Sequence, residues 1–244
     1  MLFRSNPGKY FANNVTGGMH LLDAMLATGI RKLVFSSTCA TYGPPARVPM
    51  TEDLPQKPIN PYGESKLMVE QMLRWYREIH GLGFVAFRYF NAAGASEQFG
   101  EHHRIETHLI PNILKVALGQ KTHVEVFGTD YPTADGTCIR DYIHIRDLAT
   151  AHIRALDPAI QGFYNLGTGT GASVKEVIQA CETVTGTRIR VLEQPRRAGD
   201  PPALVAGVDR VRNDLGWTPK FPKLIDTVAT AWAWHKKHPN GYAD

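Results

Sequence analysis

A tyrosine and a lysine four residues apart, Tyr62-Gly-Glu-Ser-Lys66, are the first residues whose types and spacing suggest chemistry. On a helix that spacing places both on one face. An ammonium beside a phenol favours the phenolate and draws its pKa from ~10 toward neutrality, the tuning that a general base needs. The same spacing also describes an ordinary surface pair. Ser36-Ser37-Thr38 ends a run, Lys32-Leu-Val-Phe35, that reads as a buried strand. Arg88-Tyr89-Phe90-Asn91 ends a second such run. In open α/β sheets ligands bind outside the carboxyl ends of the strands, so these groups are expected to share one rim. Turn or helix capping is the plain alternative for the hydroxyls.

The elements that must position these groups follow from periodicity. Residues 14–28 carry Val15, Met19, Leu22, Met25 and Leu26 at helical spacing, with Gly29 as the stop. Strand 32–36 follows, then a Pro-rich loop at 43–61. A long helix at 62–80 turns Leu67, Val69, Met72, Leu73 and Tyr76 inward, and a strand spans 84–90. Helices alternating with continuous apolar strands predict an α/β fold with a doubly wound parallel sheet. Further on, the pattern predicts helices at 108–118, 146–156, 173–185 and 223–237. Strands are predicted at 124–127, 163–166 and 189–193, with a loop over 128–139. No linker intervenes, so the second portion is expected to pack on the first across a cleft.

Composition excludes several classes. The 27 Lys and Arg against 23 Asp and Glu leave a charge of only +4, scattered too widely for a nucleic-acid surface. Cys39, Cys138 and Cys181 lack the spacing of a disulfide scaffold or a zinc cluster and suit a reducing compartment. No apolar run reaches membrane-spanning length, and residues 1–12 lack a secretory h-region. A cytoplasmic protein is expected. No metal site is expected either: HExxH is missing, and His102-His103 are adjacent rather than spaced as a ligand pair.

The sequence resembles the extended short-chain dehydrogenase/reductase superfamily and, within it, the UDP-glucose 4-epimerases. The stretches that carry the likeness are FSSTCATYG at 35–43, NPYGESKLMVEQML at 60–73, RYFNAAGA at 88–95 and HLIP at 108–111. It continues through VFGTDYPTADGTCIRDYIHIRDLA at 126–149, YNLGTGTGASV at 164–174, PRRAGDPPALVA at 195–206, LGWTPK at 215–220 and HPNGY at 238–242. The resemblance implies NAD as cofactor and interconversion of UDP-galactose and UDP-glucose by transient oxidation at C4. It implies Thr38, Tyr62 and Lys66 as catalytic residues, and Asn13, Ser36, Tyr62, Lys66 and Phe90 as NAD contacts. Asn91, His108, Leu109, Phe127, Arg140, Arg197 and Asp200 are the implied UDP-sugar contacts. Arg140 and Arg197 suit a diphosphate clamp; a structural pair of Arg140 with Asp141 is the alternative. His108 replaces an asparagine of some relatives, and Leu204 stands at the hexose gate, leaving N-acetyl-sugar tolerance open. Alternative activities are a UDP-N-acetylhexosamine or UDP-pentose 4-epimerase, a dehydratase, or an inactive UDP-sugar-binding chain. Cys39-Ala40 after Thr38 argues against the dehydratase, which needs an acidic pair there.

Two further expectations concern the cofactor. Asn165-Leu-Gly167-Thr-Gly169-Thr-Gly171 follows a strand and opens a helix, much like a dinucleotide fingerprint, but its third glycine comes one residue early. By the resemblance, the chain begins about eighty to ninety residues into such a protein, after the strands and Gly-rich turn that meet the pyrophosphate. It is therefore expected to comprise residues 1–106, the C-terminal part of a Rossmann-type NAD domain, and residues 107–244, a smaller mixed α/β nucleotide-sugar domain partly interleaved with it. Strand 32–36 is expected at an uncovered edge, and the 244 residues alone are expected neither to retain NAD nor to turn over. A homodimer through helices 14–28 and 62–80 is expected from their surplus apolar positions.

Overall fold

The computed structural model describes residues 6–242. They form an α/β structure divided into two compact units, each assembled from separated stretches. The first unit takes the chain to Tyr89 and adds Ala151–Leu166 and Gly207–Trp217; the second takes Phe90–Thr150, Gly167–Ala206 and the chain from Thr218 onward.

The first unit opens with α1 (Pro7–Tyr10), a π-helical segment (Phe11–Thr16) and α2 (Gly17–Ala27). The helical run therefore starts seven residues before the position expected from periodicity. The Asn6 side chain caps Lys9 N–H and Pro7 fits the first turn, a start signal carried by polar residues rather than by an apolar stripe. Leu22 and Met25 are buried, but Met19 is exposed. β1 (Lys32–Thr38), α3 (Pro61–His80), β2 (Gly83–Tyr89), β6 (Gly162–Leu166) and α7 (Asp209–Leu215) complete the unit. Its sheet runs β1-β2-β6, all parallel, with Val34 beside Val85 and Phe87 beside Tyr164. Among the described residues β1 stands at the edge, and its Leu33, Val34 and Phe35 are only half-buried, whereas Phe84–Phe87 of β2 are wholly enclosed. Leu22, Met25, Val69, Leu73, Phe84 and Ala86 form the core between the helices and the sheet.

A buried ion pair crosses that core. Glu70 of α3 accepts from Arg88 Nη2 at 2.7 Å and Nε at 3.1 Å, from Ser37 Oγ at 2.6 Å and from Gln56 Nε2 at 2.8 Å. Arg88 Nη1 donates to the Tyr42 hydroxyl at 2.8 Å, which donates to Asn165 Oδ1 at 2.8 Å. Helix, β1, β2 and β6 are thereby joined through groups whose pairing removes the penalty of burying charge.

The second unit holds β3 (Asn91–Ala93), α4 (Leu109–Ala117), β4 (Val124–Phe127), β5 (Ile139–His144), β7 (Gly171–Ser173), α6 (Val174–Thr185), β8 (Val191–Gln194), β9 (Ala203–Leu204) and α8 (Leu224–Lys237). Helix α5 (Ile145–Arg154) carries the chain back into the first unit. β5 pairs with β3 and β9 in parallel and with β7 antiparallel; β4 and β8 form a separate parallel pair. Ile113, Leu114, Val126, Val177, Cys181 and Val228 centre its core. Helix α6 begins at a full capping box between Ser173 and Glu176.

Two expectations are corrected here. The loop expected at 128–139 holds through residue 138, but it is followed by β5, which periodicity does not reveal because its buried positions include Arg140, Asp141 and His144. Arg140 does not pair with Asp141. The Asp141 carboxylate instead accepts from Thr168 N (2.8 Å), Thr168 Oγ1 (2.7 Å), Gly169 N (3.0 Å) and Ala206 N (3.1 Å).

Breaking the buried pair tests this scheme. Arg88→Met leaves Glu70 uncompensated and is expected to lower stability by about 3–5 kcal/mol, whereas Arg88→Met with Glu70→Leu recovers most of the loss. Urea unfolding of both variants measures the difference.

Candidate active site

Tyr62 is the second residue of α3, behind Pro61 and an Asn60 cap whose Oδ1 accepts from Gly63 N at 2.8 Å. This start delivers the phenol to the end of β1, where the Thr38 side chain hydrogen-bonds it. Gly63 makes the approach possible. A Cβ there would lie 2.5 Å from the Ala40 carbonyl oxygen and 3.1 Å from Pro58 Cβ. The helix thus begins hard against the Cys39–Thr41 turn, which Thr38 itself caps by accepting from Ala40 N at 3.2 Å.

Lys66 lies one turn further along. Its Nζ donates to the Ser36 carbonyl at 2.9 Å, and sits 4.9 Å from the Phe35 ring centroid and 6.0 Å from that of Tyr62. The electrostatics correct the simple expectation for the pair. Burial pushes the Tyr62 phenol up, the Thr38 bond draws it partly back, and Lys66 is not among the causes. Burial also lowers the Lys66 ammonium. The Lys66 ammonium is anchored to the Ser36 carbonyl at 2.9 Å and stands 6.0 Å from the Tyr62 ring centroid, so any support it gives the phenolate acts as charge at a distance, beside the contact with Thr38.

Ser36 is exposed at the same rim, its Oγ 2.8 Å from the Tyr89 hydroxyl, which lies 2.5 Å from His152 Nε2. The Tyr89–His152 contact has no sequence signature, because His152 belongs to α5, more than sixty residues later. Asn13 is exposed within the π-helical segment, where the neighbouring Asn14 amide donates to Ser65 Oγ at 2.9 Å. Such segments recur at functional sites. Tyr10 packs edge-on against Tyr62 at 5.8 Å. The first unit therefore brings together Thr38, Tyr62, Lys66 and Ser36.

The remaining candidates belong to the second unit. Phe90 is buried, and Asn91 is half-buried in β3, beside Tyr142 of β5. Arg140 Nη2 donates to Asp200 at 2.6 Å and Nη1 to the Ile139 carbonyl at 2.7 Å, leaving part of a rigid guanidinium fork for an oxyanion. Leu204 lies beside Arg140 in the β5–β9 ladder. The Arg197 guanidinium stacks 3.7 Å from the Phe127 ring centroid. His108 caps α4, with Leu109 as its first residue. Glu101 and Glu106 hold its imidazole protonated, pushed up to about 10.

The glycine turn at 167–171 is closed to a phosphate. Asp141 occupies its donors, and a Cβ on Gly167 would fall 2.4 Å from Asp141 Oδ2. Burial pushes the Asp141 carboxyl up, and the four donors offset part of that.

Residues 3–167 match the sequence pattern described as NAD dependent epimerase/dehydratase family. The chain belongs to this family. It is 51% identical over 243 residues to the UDP-glucose 4-epimerase of Halalkalibacterium halodurans, covering 97% of this chain and 73% of that protein. The UDP-glucose 4-epimerase of Brucella ovis, solved in complex with NAD, superposes with a TM-score of 0.90 at 47% identity, over 94% of this chain and 72% of that one. The enzyme of Bifidobacterium longum, solved with NAD+ and UDP, gives 0.90 at 41% identity, over 97% and 72%. The epimerase/dehydratase pattern spans Thr38, Tyr62 and Lys66, but stops short of Arg197 and Asp200.

The Gly63 contact yields a sharp contrast. Gly63→Ala is expected to lower stability by about 1–3 kcal/mol through overpacking. Gly18→Ala, whose new methyl would meet nothing nearer than Val69 Cγ2 at 3.4 Å, is expected to stay within about 1 kcal/mol of the parent. Chemical denaturation distinguishes the two.

Proposed function

We propose that this chain acts as a UDP-glucose 4-epimerase, interconverting UDP-galactose and UDP-glucose through transient oxidation at C4 of the hexose. The observation that carries the reading is the placement of Thr38 at the end of β1 against Tyr62 at the head of α3, with Lys66 one turn along and anchored to the Ser36 carbonyl. The family membership and the names of the relatives support the same reaction.

The donor set suits a nicotinamide nucleotide. The Lys66 ammonium, the Tyr62 hydroxyl and the exposed Ser36 offer the donors and acceptors that a ribose diol requires. Asn13 and Phe90 are further proposed contacts. NAD supplies the hydride acceptor and donor for C4.

The chain's own residues handle protons and orientation. Tyr62, as phenolate, takes the proton of the C4 hydroxyl and later returns it. Thr38 orients that hydroxyl and shares the phenol's hydrogen bond. Lys66 holds a cofactor ribose and adds positive charge to the site.

Residues of the second unit bind the nucleotide sugar. Arg140 and Arg197 hold the diphosphate, and Asp200, anchored by Arg140, accepts from ribose hydroxyls. Asn91, Leu109, Phe127 and His108 complete the nucleotide contacts. Holding UDP through groups remote from C4 uses binding energy to retain the sugar while its ring reorients. In this reading the unit carrying Tyr62 is the cofactor side and the other is the nucleotide-sugar side.

We further propose a homodimer, supported by Leu21 of α2 and by Trp75 and Ile79 of α3, which are 52%, 62% and 66% exposed. A cytoplasmic location is supported by the wide spacing of Cys39, Cys138 and Cys181, which does not suit a disulfide scaffold. No helix among the described residues is long and apolar enough to cross a membrane.

In a protein of the relatives' full length that contains this chain, Tyr62→Phe is expected to reduce turnover of UDP-galactose by at least ~10²-fold while UDP affinity stays nearly unchanged; unchanged turnover overturns the assignment. Thr38→Val removes a bond that lowers the phenol's pKa, so the rising limb of the kcat–pH profile should move to higher pH. A limb that stays in place or moves down contradicts that role. Size measurement in solution tests the dimer.

A further inference from the structure

We propose that Glu101, His103, Glu106 and His108 form a binding site for one divalent transition-metal ion of the zinc class. All four residues lie in the segment leading into α4, within the second unit. Each offers one ligand atom, and the four atoms lie within 4.8 Å of one another. Sequence spacing hid the group, because the two histidines it uses are five residues apart and neither belongs to a familiar motif.

Two of the ligand-atom separations lie near the edge of the coordination polyhedron of such an ion, and the others need only side-chain adjustment to reach it. Zinc bonds to nitrogen and carboxylate oxygen at about 2.0–2.1 Å, so the edge of its tetrahedron is about 3.3–3.4 Å. His103 Nε2 lies 3.2 Å from Glu101 Oε1, and His108 Nδ1 lies 3.3 Å from Glu106 Oε1. Glu101 Oε1 also contacts His108 Nδ1 and so links the two imidazoles. The imidazole rings meet at 65° with centroids 5.1 Å apart, so their nitrogens approach from different directions.

Donor chemistry narrows the ion. Two imidazole nitrogens with two carboxylates favour zinc or cobalt over the all-oxygen sites of calcium and magnesium and the sulfur sites of copper(I). Two carboxylates, two neutral imidazoles and a divalent cation sum to zero charge. Binding displaces the proton that the glutamates hold on His108. Coordination through Nδ1 would leave His108 Nε2 as a donor, so the site does not depend on the proposed nucleotide contact of this residue.

The ligands are held before any ion arrives. Glu106 Oε1 accepts from the backbone N–H groups of Thr107 and His108, both at 2.8 Å. Asn112 Nδ2 donates to the His108 carbonyl at 2.8 Å and fixes the segment to the first turn of α4. The Glu106 side chain is only 3% exposed, whereas His103 and His108 are half-exposed and give an ion access from solvent. A separate observation lies behind Glu101. Trp234 is buried, and its Nε1 donor has no acceptor among the described residues. With Glu101 and His235 it lines a cavity of about 10 Å³, close to the space of one water molecule.

The test uses the purified protein, stripped with a chelator and titrated with Co²⁺ and then Zn²⁺. The expected result is one Co²⁺ per chain with the visible ligand-field band of four-coordinate cobalt, lost when Zn²⁺ displaces it. His103→Ala and Glu106→Gln should each weaken binding by roughly tenfold to a hundredfold, while His102→Ala leaves it unchanged. His103 is half-exposed, so His103→Ala keeps the test readable if Glu106→Gln fails to fold. Substoichiometric binding without the band, or affinity that survives His103→Ala, overturns the site. In either case the four residues serve only as an ion-paired clasp on the segment.

Discussion

The buried pair of Glu70 and Arg88 is the interaction on which the catalytic geometry depends. Glu70 sits one turn beyond Lys66 on α3, and Arg88 comes one residue before the end of β2. Their two hydrogen bonds fix the helix to the sheet in one register. Ser37, neighbour to both Thr38 and Ser36, donates to the same carboxylate. The position of the Thr38 hydroxyl against the Tyr62 phenol is therefore set by charge pairing inside the core and not by apolar packing alone. Hydrophobic contacts would allow α3 to slide by fractions of a turn; a forked guanidinium on a carboxylate does not.

The second unit solves a related problem with the opposite polarity. Its glycine turn has the shape and backbone donors of an anion site, and the chain supplies its own anion, Asp141. That carboxylate ties the turn, β5 and the start of the 206–208 segment together without a ligand. The neighbouring Arg140 is thereby left to pair with Asp200 and to face outward chemistry. Adjacent residues of opposite charge serve two different networks, because alternate residues of a strand point to opposite sides.

How far the sequence revealed all this varies by element. The parallel α/β class, strands β1, β2, β4 and β6, and helices α3, α4, α6 and α8 were legible, because their apolar residues follow a clear period or because caps mark their ends. β5 was not, since charged residues occupy its buried positions and only their partners, distant in sequence, make burial tolerable. β7 and β9 have three and two residues and show no period. The rim was legible as Thr38, Tyr62 and Lys66 in one place. What eluded sequence reasoning was where the Lys66 ammonium points, since that depends on the Ser36 carbonyl. The four-residue cluster before α4 escaped for a similar reason: a bend in the chain, not a helical repeat, brings its ligand atoms together.

The placement of Tyr62 at the very start of its helix has a wider consequence. A residue in the first turn is held by backbone on both sides: by the Asn60 cap beneath it and by the Cys39–Thr41 turn pressed against Gly63. The start of the helix that carries the reactive oxygen is thus located by the Asn60 cap and by the backbone of the turn against Gly63, in addition to the Glu70–Arg88 pair further along. Side chains elsewhere, such as Leu204 beside Arg140, are free to vary in size without moving it. Such an arrangement lets a lineage explore new sugars while inheriting its acid–base apparatus intact.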